Sequence, residues 1–245
     1  MSLDGKAALV TGASSGIGKG VAERPAKDGA RVIVAHHPAQ RRQAEEVVGG
    51  IAAHGGTAIT TAADVADAAQ VRGLFDVAET EFGGVDIVVS NAADYRFKSL
   101  AGSTDEDFDT VFATNTRAGF VAMRESALRM RTGGRIVMIS AGLTLMPTAG
   151  TALYASSKAA LDHLVRVAAV ELEPKHITVN SELPGMVRTP STAHFSDEEI
   201  AAEAQSTPLG RIGEPADIAD VVAFLVSHDA RWVTGQRISA GGGKF

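Results

Sequence analysis

Two side chains one helical turn apart stand out for their chemistry, Tyr154 and Lys158 in the run Tyr154-Ala-Ser-Ser-Lys158. An i, i+4 spacing sets the phenol and the ammonium on one helix face. A free tyrosine ionises near pH ~10, so it is a slow base at neutral pH. A neighbouring cation stabilises the phenolate and lowers that pKa, which makes Tyr154 usable as a general acid/base. The same spacing also arises by chance, as a partly exposed tyrosine beside a solvated lysine. The chain holds only two tyrosines, however, and this one follows an apolar strand pattern that ends in Ser140.

A second stretch is built for an anion. Thr11-Gly-Ala-Ser-Ser-Gly-Ile-Gly18 follows the apolar run Ala7-Ala-Leu-Val10 and opens a helical pattern. Gly12 can take backbone angles closed to other residues. Gly16 and Gly18 remove side chains where a pyrophosphate approaches the backbone and where helix packs on strand. The helix start offers unpaired N–H groups and the positive end of its dipole. Gly12, Ser14, Ser15, Gly16, Ile17 and Gly18 are therefore the candidate contacts for a dinucleotide pyrophosphate. The glycine spacing departs from G-x-G-x-x-G, and alone it also fits a tight turn in an unrelated α/β protein.

The run Arg31-Val-Ile-Val-Ala35 ends at His36-His37, where a dinucleotide fold meets the adenosine ribose. No acidic residue stands there to repel a 2′-phosphate. His36, His37, Arg41 and Arg42 are neutral or basic, which tilts the cofactor from NAD(H) towards NADP(H). The competing reading has both arginines on a solvated helix face, paired with Glu45 and Glu46. The two histidines lack further ligands for a metal, so no metal site is expected. Asp64-Val65 and Ser90-Asn91-Ala92-Ala93 each close a strand pattern, at the strand ends where open α/β sheets bind ligands.

Positioning these groups requires an α/β scaffold. Strand patterns fall at 6–11, 31–35, 57–62, 85–90, 134–140, 176–181 and 236–240, and helical patterns near 16–28, 39–54, 67–82, 105–131, 154–173 and 214–228. The alternation predicts a doubly wound parallel sheet covered on both faces, in one domain spanning 1–245. Pro25 breaks the first helical pattern without a functional account, and Asn115 sits inside the fourth, as either a purposeful kink or simple exposure. At 245 residues, with 45% hydrophobic and 21% charged residues, the composition is that of an ordinary globular protein. The net charge of −6 disfavours nucleic acid or an anionic membrane as partner. There is no cysteine for a disulfide or a thiolate, and no apolar run long enough to span a bilayer. With the first strand pattern starting near Lys6, no signal peptide is expected and the expected location is cytoplasmic.

Taken together, these motifs resemble the single-domain type of the short-chain dehydrogenase/reductase family across nearly the whole length. The resemblance adds Asn115, the run Asn180-Ser-Glu-Leu-Pro-Gly185 with Val187 and Thr189, and Pro208-Leu-Gly-Arg-Ile-Gly-Glu-Pro-Ala-Asp-Ile218. It implies a seven-stranded parallel sheet, a homotetramer or homodimer, and hydride transfer between a nicotinamide and a small carbonyl or secondary alcohol. It implies that Tyr154 exchanges the proton, that Lys158 lowers the phenol pKa and holds the nicotinamide ribose, and that Asn115 holds a water serving Lys158. Asp64 and Val65 would hold the adenine and Asn91 the adenine-ribose side, while Pro184, Gly185, Val187 and Thr189 would line the nicotinamide. Residues 188–210, with Pro190, His194 and Phe195, would form a lid, and Arg96, Phe97 and Leu143–Met146 the opposite wall.

Two departures matter. The family's serine, thirteen residues before the tyrosine, falls on Ala141, and Ser140 is one residue too early. Adjacent strand residues face opposite sides, so either a loop adjustment lets Ser140 serve or Tyr154 holds the oxyanion alone. The other departure is Ala92-Ala93 in place of Ala-Gly, a small change beside the cofactor. Ala141 also motivates a competing reading, a nucleotide-binding regulatory or scaffold protein that kept the fold and lost the chemistry.

Overall fold

The computed structural model describes residues 2–245. Seven strands, β1 (Ala7–Thr11), β2 (Arg31–His36), β3 (Thr57–Ala62), β4 (Ile87–Ser90), β5 (Arg135–Ile139), β6 (Thr178–Pro184) and β7 (Arg237–Ala240), form one sheet in the order β3-β2-β1-β4-β5-β6-β7. Every pairing is parallel. Eight α-helices accompany them: α1 (Gly16–Lys27), α2 (Arg41–Ala53), α3 (Ala68–Phe82), α4 (Asp105–Phe112), α5 (Ala118–Arg129), α6 (Ala152–Glu171), α7 (Asp197–Ser206) and α8 (Pro215–Val226).

Two apolar cores explain the sequence pattern. Ala7 and Leu9 of β1 face α3, α5 and α6, whereas Ala8 and Val10 face α1, α2 and α8. A strand buried on both faces reads as a continuous apolar run rather than an alternating one. All seven expected strands are present, with ends shifted by at most a few residues. Strand order reverses between β1 and β4, and the crevice above that switch point is where a doubly wound sheet receives its ligand.

Three local features depart from or extend the sequence reading. The expected helix over 105–131 is interrupted by a π-helical turn at Ala113–Arg117 between α4 and α5. The wider turn directs Asn115 inward, where it is buried, so the poor helix former marks a bulge of the kind seen at functional sites. The segment 188–210, expected as a lid with no helix assigned to it, contains α7. A capping box starts it: Ser196 Oγ accepts from the Glu199 N–H, and the Glu199 carboxylate accepts from the Ser196 N–H at 2.8 Å. Pro25 lies buried in the last turn of α1, which continues to Lys27. Among the described residues no helix is long and apolar enough to cross a membrane.

Candidate active site

A cleft of about 650 Å³ opens above the β1/β4 switch point, lined by Gly12, Ser14, Ser15, Gly16, Ile17 and Gly18. Gly12 has φ +62°, and a Cβ there would come within 2.9 Å of the Ala92 Cα. Gly16 has φ +53°, and a Cβ at Gly18 would overlap the Gly12 carbonyl oxygen and Asn91 Nδ2. These three positions therefore require glycine. Ser15 precedes α1 without capping it through its side chain, and the first turn holds no acidic residue. The N–H groups of that turn and the positive helix end face the cleft without a carboxylate competitor, so the cradle fits a pyrophosphate.

The rest of the cleft follows strand ends. His37, Ala39 and Gln40 line it beyond β2, Asp64 and Val65 beyond β3, and Asn91, Ala92 and Asp94 beyond β4. Asn91 Nδ2 donates to the carbonyls of Thr11 and Gly12, both at 3.1 Å, and so ties the end of β4 to the glycine turn. Thr189, Pro190 and Ser191 close the far side.

Several expectations are corrected here. His36 is buried, with Nδ1 against the His37 carbonyl at 2.9 Å, and it does not line the cleft. Arg41 and Arg42 point into solvent and pair with Glu45 and Glu46, each at 3.0 Å. The solvated-face reading of both arginines therefore describes the structure, because the i, i+4 carboxylates lie within reach. Gln40, which the sequence reading passed over, lines the cleft and accepts from Ser14 Oγ at 3.0 Å. Pro184 and Val187 are buried away from the cleft, and Gly185 lies on a second, smaller depression beside Gly241. Of the four residues expected around the nicotinamide, only Thr189 lines the cleft.

The acid/base pair stands on α6. Tyr154 and Lys158 are both buried, 5% and 2% exposed. Lys158 Nζ donates to the Ile139 carbonyl at 2.8 Å and lies 6.0 Å from the centre of the Tyr154 ring. Burial depresses the Lys158 pKa to about 8, against an opposing pull from the Asp162 carboxylate. Tyr154 is pushed well above the ordinary tyrosine value, first by burial and then by the Tyr95 phenol beside it. The lowering of the phenol pKa expected from Lys158 is outweighed by burial. Shared helix face was legible from spacing, whereas the low-dielectric surroundings, which disfavour both charged forms, were not.

Asn115 joins the two sides of the site. Its Oδ1 accepts from the Asp94 N–H at 2.8 Å, and its Nδ2 donates to the Asp94 carbonyl and to Ser157 Oγ, both at 3.0 Å. Ser157 Oγ in turn donates to the Tyr154 carbonyl at 2.7 Å. The Asn115 side chain therefore reaches Asp94 and Ser157 rather than Lys158. Ser140 is buried, and its hydroxyl has no hydrogen-bond partner. It does not engage Tyr154. By strand alternation it continues the side of Met138, which faces α6 in the core. Ala141, also buried, starts the turn Gly142–Thr144.

The wall over Tyr154 is aromatic. The Tyr95 and Tyr154 rings lie 5.1 Å apart with a 31° tilt, and Phe97 meets Tyr154 edge-on at 5.6 Å. Phe97 was expected on this wall. Arg96, expected with it, turns the other way to Asp94 and Asp107, and Tyr95 was missed. The period-two alternation Tyr95, Arg96, Phe97, Lys98 was the available signal.

Comparison with known proteins agrees with this geometry. A family model described as enoyl-(acyl carrier protein) reductase matches residues 12–244. An oxidoreductase of Methylorubrum extorquens is 44% identical, with 98% of each chain covered. A versicolorin reductase of Emericella nidulans is 40% identical, covering 99% of this chain and 97% of that one. The angucycline C-6 ketoreductase LanV with bound NADP superposes with a TM-score of 0.94 at 37% identity, covering 99% of this chain and 96% of that one. LanV has also been solved with NADP and rabelomycin. With the glycine cradle, the Tyr154/Lys158 pair and full-length similarity to such reductases in agreement, the chain belongs to the short-chain dehydrogenase/reductase family of NAD(P)-dependent oxidoreductases.

Proposed function

We propose that this chain reduces a ketone carried on a planar, aromatic molecule, with NADPH as reductant and Tyr154 as proton donor. The observation that carries the reading is geometric: Tyr154 and Lys158 are buried together on α6, with Lys158 Nζ 6.0 Å from the centre of the Tyr154 ring. A phenol protonated at neutral pH thus stands beside a cation that can stabilise the phenolate left after it gives its proton to a carbonyl oxygen. The Tyr95 and Phe97 rings beside it offer faces and edges to a flat aromatic substrate. Relatives named for versicolorin and for angucycline ketoreduction support that substrate class.

Gly12, Ser14, Ser15, Gly16, Ile17 and Gly18 would hold the pyrophosphate. Asp64, Val65, Asn91 and Ala92 would hold the adenosine half, and Lys158 and Thr189 the nicotinamide half. Bound, the reduced nicotinamide supplies the hydride. NADP(H) over NAD(H) is supported by the β2 end of the cleft, where His37, Ala39 and Gln40 present no carboxylate. Comparing NADPH and NADH turnover on fused-ring ketones tests both halves. Preference for NADH overturns the cofactor assignment, and activity confined to small aliphatic ketones overturns the substrate class.

The assembly is proposed to be a homotetramer or homodimer. Phe120 and Leu128 on α5, and Val167 and Val170 on α6, leave apolar side chains on the outer helix faces. Light scattering that finds only a monomer at micromolar concentration would contradict it.

A further inference from the structure

Gly142 and Gly241 do not adopt positive φ, so the backbone at neither place demands glycine. What demands it is a neighbour, because a Cβ on either would overlap the Phe245 ring. Phe245 is therefore wedged between the Gly142–Thr144 turn beyond β5 and the residue that follows β7. The Gly142 carbonyl accepts from the Leu145 and Met146 N–H groups at 2.9 and 3.2 Å, so the ring bears on the residue that organises the 142–146 wall. The same turn lies shortly beyond Ile139, whose carbonyl accepts from Lys158 Nζ.

The segment that carries this ring also seats α7. Lys244 Nζ lies 2.5 Å from the Glu203 carboxylate and donates to Ser206 Oγ at 2.8 Å, and both partners stand on α7. The Gly242 carbonyl accepts from the Leu209 N–H at 3.2 Å. Gly243 runs so close to Pro208 that a Cβ would come within 3.2 Å of its ring. These contacts matter because α7 buries none of its side chains. Most helices in proteins are fixed by an apolar face packed in the core. Without one, α7 takes its place from Lys244 and the backbone of 242–243. A depression of about 200 Å³, lined by Met186, Glu203, Thr207 and Gly241, leaves it room to shift.

We propose that residues 241–245 are a strap coupling α7 to the 142–146 wall of the substrate site, with Phe245 as its positioning residue. Phe245 and Lys244 are neighbours in the chain, so the segment that plugs the slot between Gly142 and Gly241 also carries the cation that seats α7. Displacing the ring frees the wall and, through Lys244, the helix. Releasing Lys244 acts in the reverse direction. The gap between wall and helix sets how large a ketone is held over Tyr154. That effect on substrate rests on the reading of a fused-ring ketone bound beside Tyr154, whereas the coupling of wall and helix does not.

Amide hydrogen exchange of the full chain with NADPH, together with steady-state kinetics on a fused-ring ketone, tests the proposal. Phe245→Ala speeds exchange in α7 as well as at 142–146, and Lys244→Met speeds it at 142–146 as well as in α7. Exchange that changes only beside each substitution shows that the two segments are not coupled and overturns the proposal. In Phe245→Ala the KM for the ketone rises roughly tenfold, the low end of what an altered apolar pocket discriminates, while kcat and NADPH affinity stay close to those of the parent. An unchanged KM despite faster exchange denies Phe245 its positioning role and overturns the proposal too. Gly142→Ala pushes the ring out from the other side and gives the same rise in KM. In a Phe245→Ala background its methyl group enters the space that the ring has left and costs less; equal losses in the two backgrounds contradict the wedge. A parent that does not reduce fused-ring ketones removes the substrate reading alone, and exchange at 142–146 and in α7 still decides for or against the strap.

Discussion

Lys158 Nζ donates to the backbone carbonyl of Ile139 at 2.8 Å, so the buried ammonium on α6 is held against the end of β5 rather than against the Tyr154 hydroxyl. The lysine is thereby anchored at the end of β5, with a pKa depressed to about 8. Its charge is present below that pH and lost above it.

That position yields a pH dependence. Ketone reduction leaves Tyr154 as a phenolate, which a charged Lys158 stabilises. Reductive kcat/KM should hold below pH 8 and fall as pH rises through about 8, where Lys158 loses its proton. Tyr154, raised well above the usual value, stays protonated over that range and contributes no fall of its own. Alcohol oxidation, which needs the phenolate, should instead increase into the alkaline range. A profile of kcat/KM in both directions checks this, and a reductive limb flat to pH ~10 would rule out the assigned role of Lys158.

Glu182 gives a stability prediction. It lies in β6 between Ile139 and Ile238, is fully buried, and has no partner for either carboxyl oxygen. Burial raises its pKa to about 9, so the folded protein carries it neutral. The unfolded chain ionises it near pH ~4.3. Between those values the unfolded state has lost a proton that the native state keeps, so stability falls as pH rises, by about 1.4 kcal/mol per pH unit at most. Above about 8, Lys158 works in the opposite direction, since its pKa is lower in the native state than in the unfolded one. Glu182→Leu should therefore raise the melting temperature and flatten its pH dependence between about pH 5 and 8. A lower melting temperature at pH 7.5 would show that the carboxyl has a stabilising partner.

The glycine cradle is tested at Gly18, where a methyl group would meet the Gly12 carbonyl and the Asn91 amide. Forcing apart two backbone segments in a packed site costs about 1–3 kcal/mol. Gly18→Ala should weaken NADPH binding roughly tenfold or more, as measured by nucleotide fluorescence titration. Unchanged affinity would place the pyrophosphate elsewhere.

The clamp on the 94–98 loop is tested at Asp107, whose carboxyl is held well below the usual range first by Lys98, then by the Thr104 N–H and by Arg96. Asp107→Asn removes the charge that draws Arg96 and Lys98. Backbone amides of 95–98 should exchange faster with solvent, and kcat should fall on the order of ten- to a hundredfold through displacement of the aromatic wall. Exchange indistinguishable from the parent would mean that the loop is held by other contacts.

The sheet was legible in the sequence because strands such as β1 and β4 are buried on both faces and so are apolar up to their last residues, Thr11 and Ser90. The cradle and the Tyr154/Lys158 pair were legible because backbone conformation and helix periodicity constrain residue type and spacing. Other features depend on tertiary surroundings. Whether Arg41 faced a ligand or Glu45 could not be read from residue types that suit both. The interruption at Asn115 depended on what the residue meets, Asp94 and Ser157, which are distant in sequence. The direction of the Tyr154 pKa shift followed from burial under Tyr95, a neighbour that no local motif names. The helix α7 was within reach, since Ser196 and Glu199 spell a capping box.

The most direct test of the account is Tyr154→Phe, assayed for ketone reduction alongside NADPH affinity. Loss of a positioned proton donor predicts turnover reduced by ~10²–10⁴-fold with NADPH binding essentially retained. Turnover close to that of the parent, with the cofactor bound as tightly, would contradict the assignment of Tyr154 as the acid of this site.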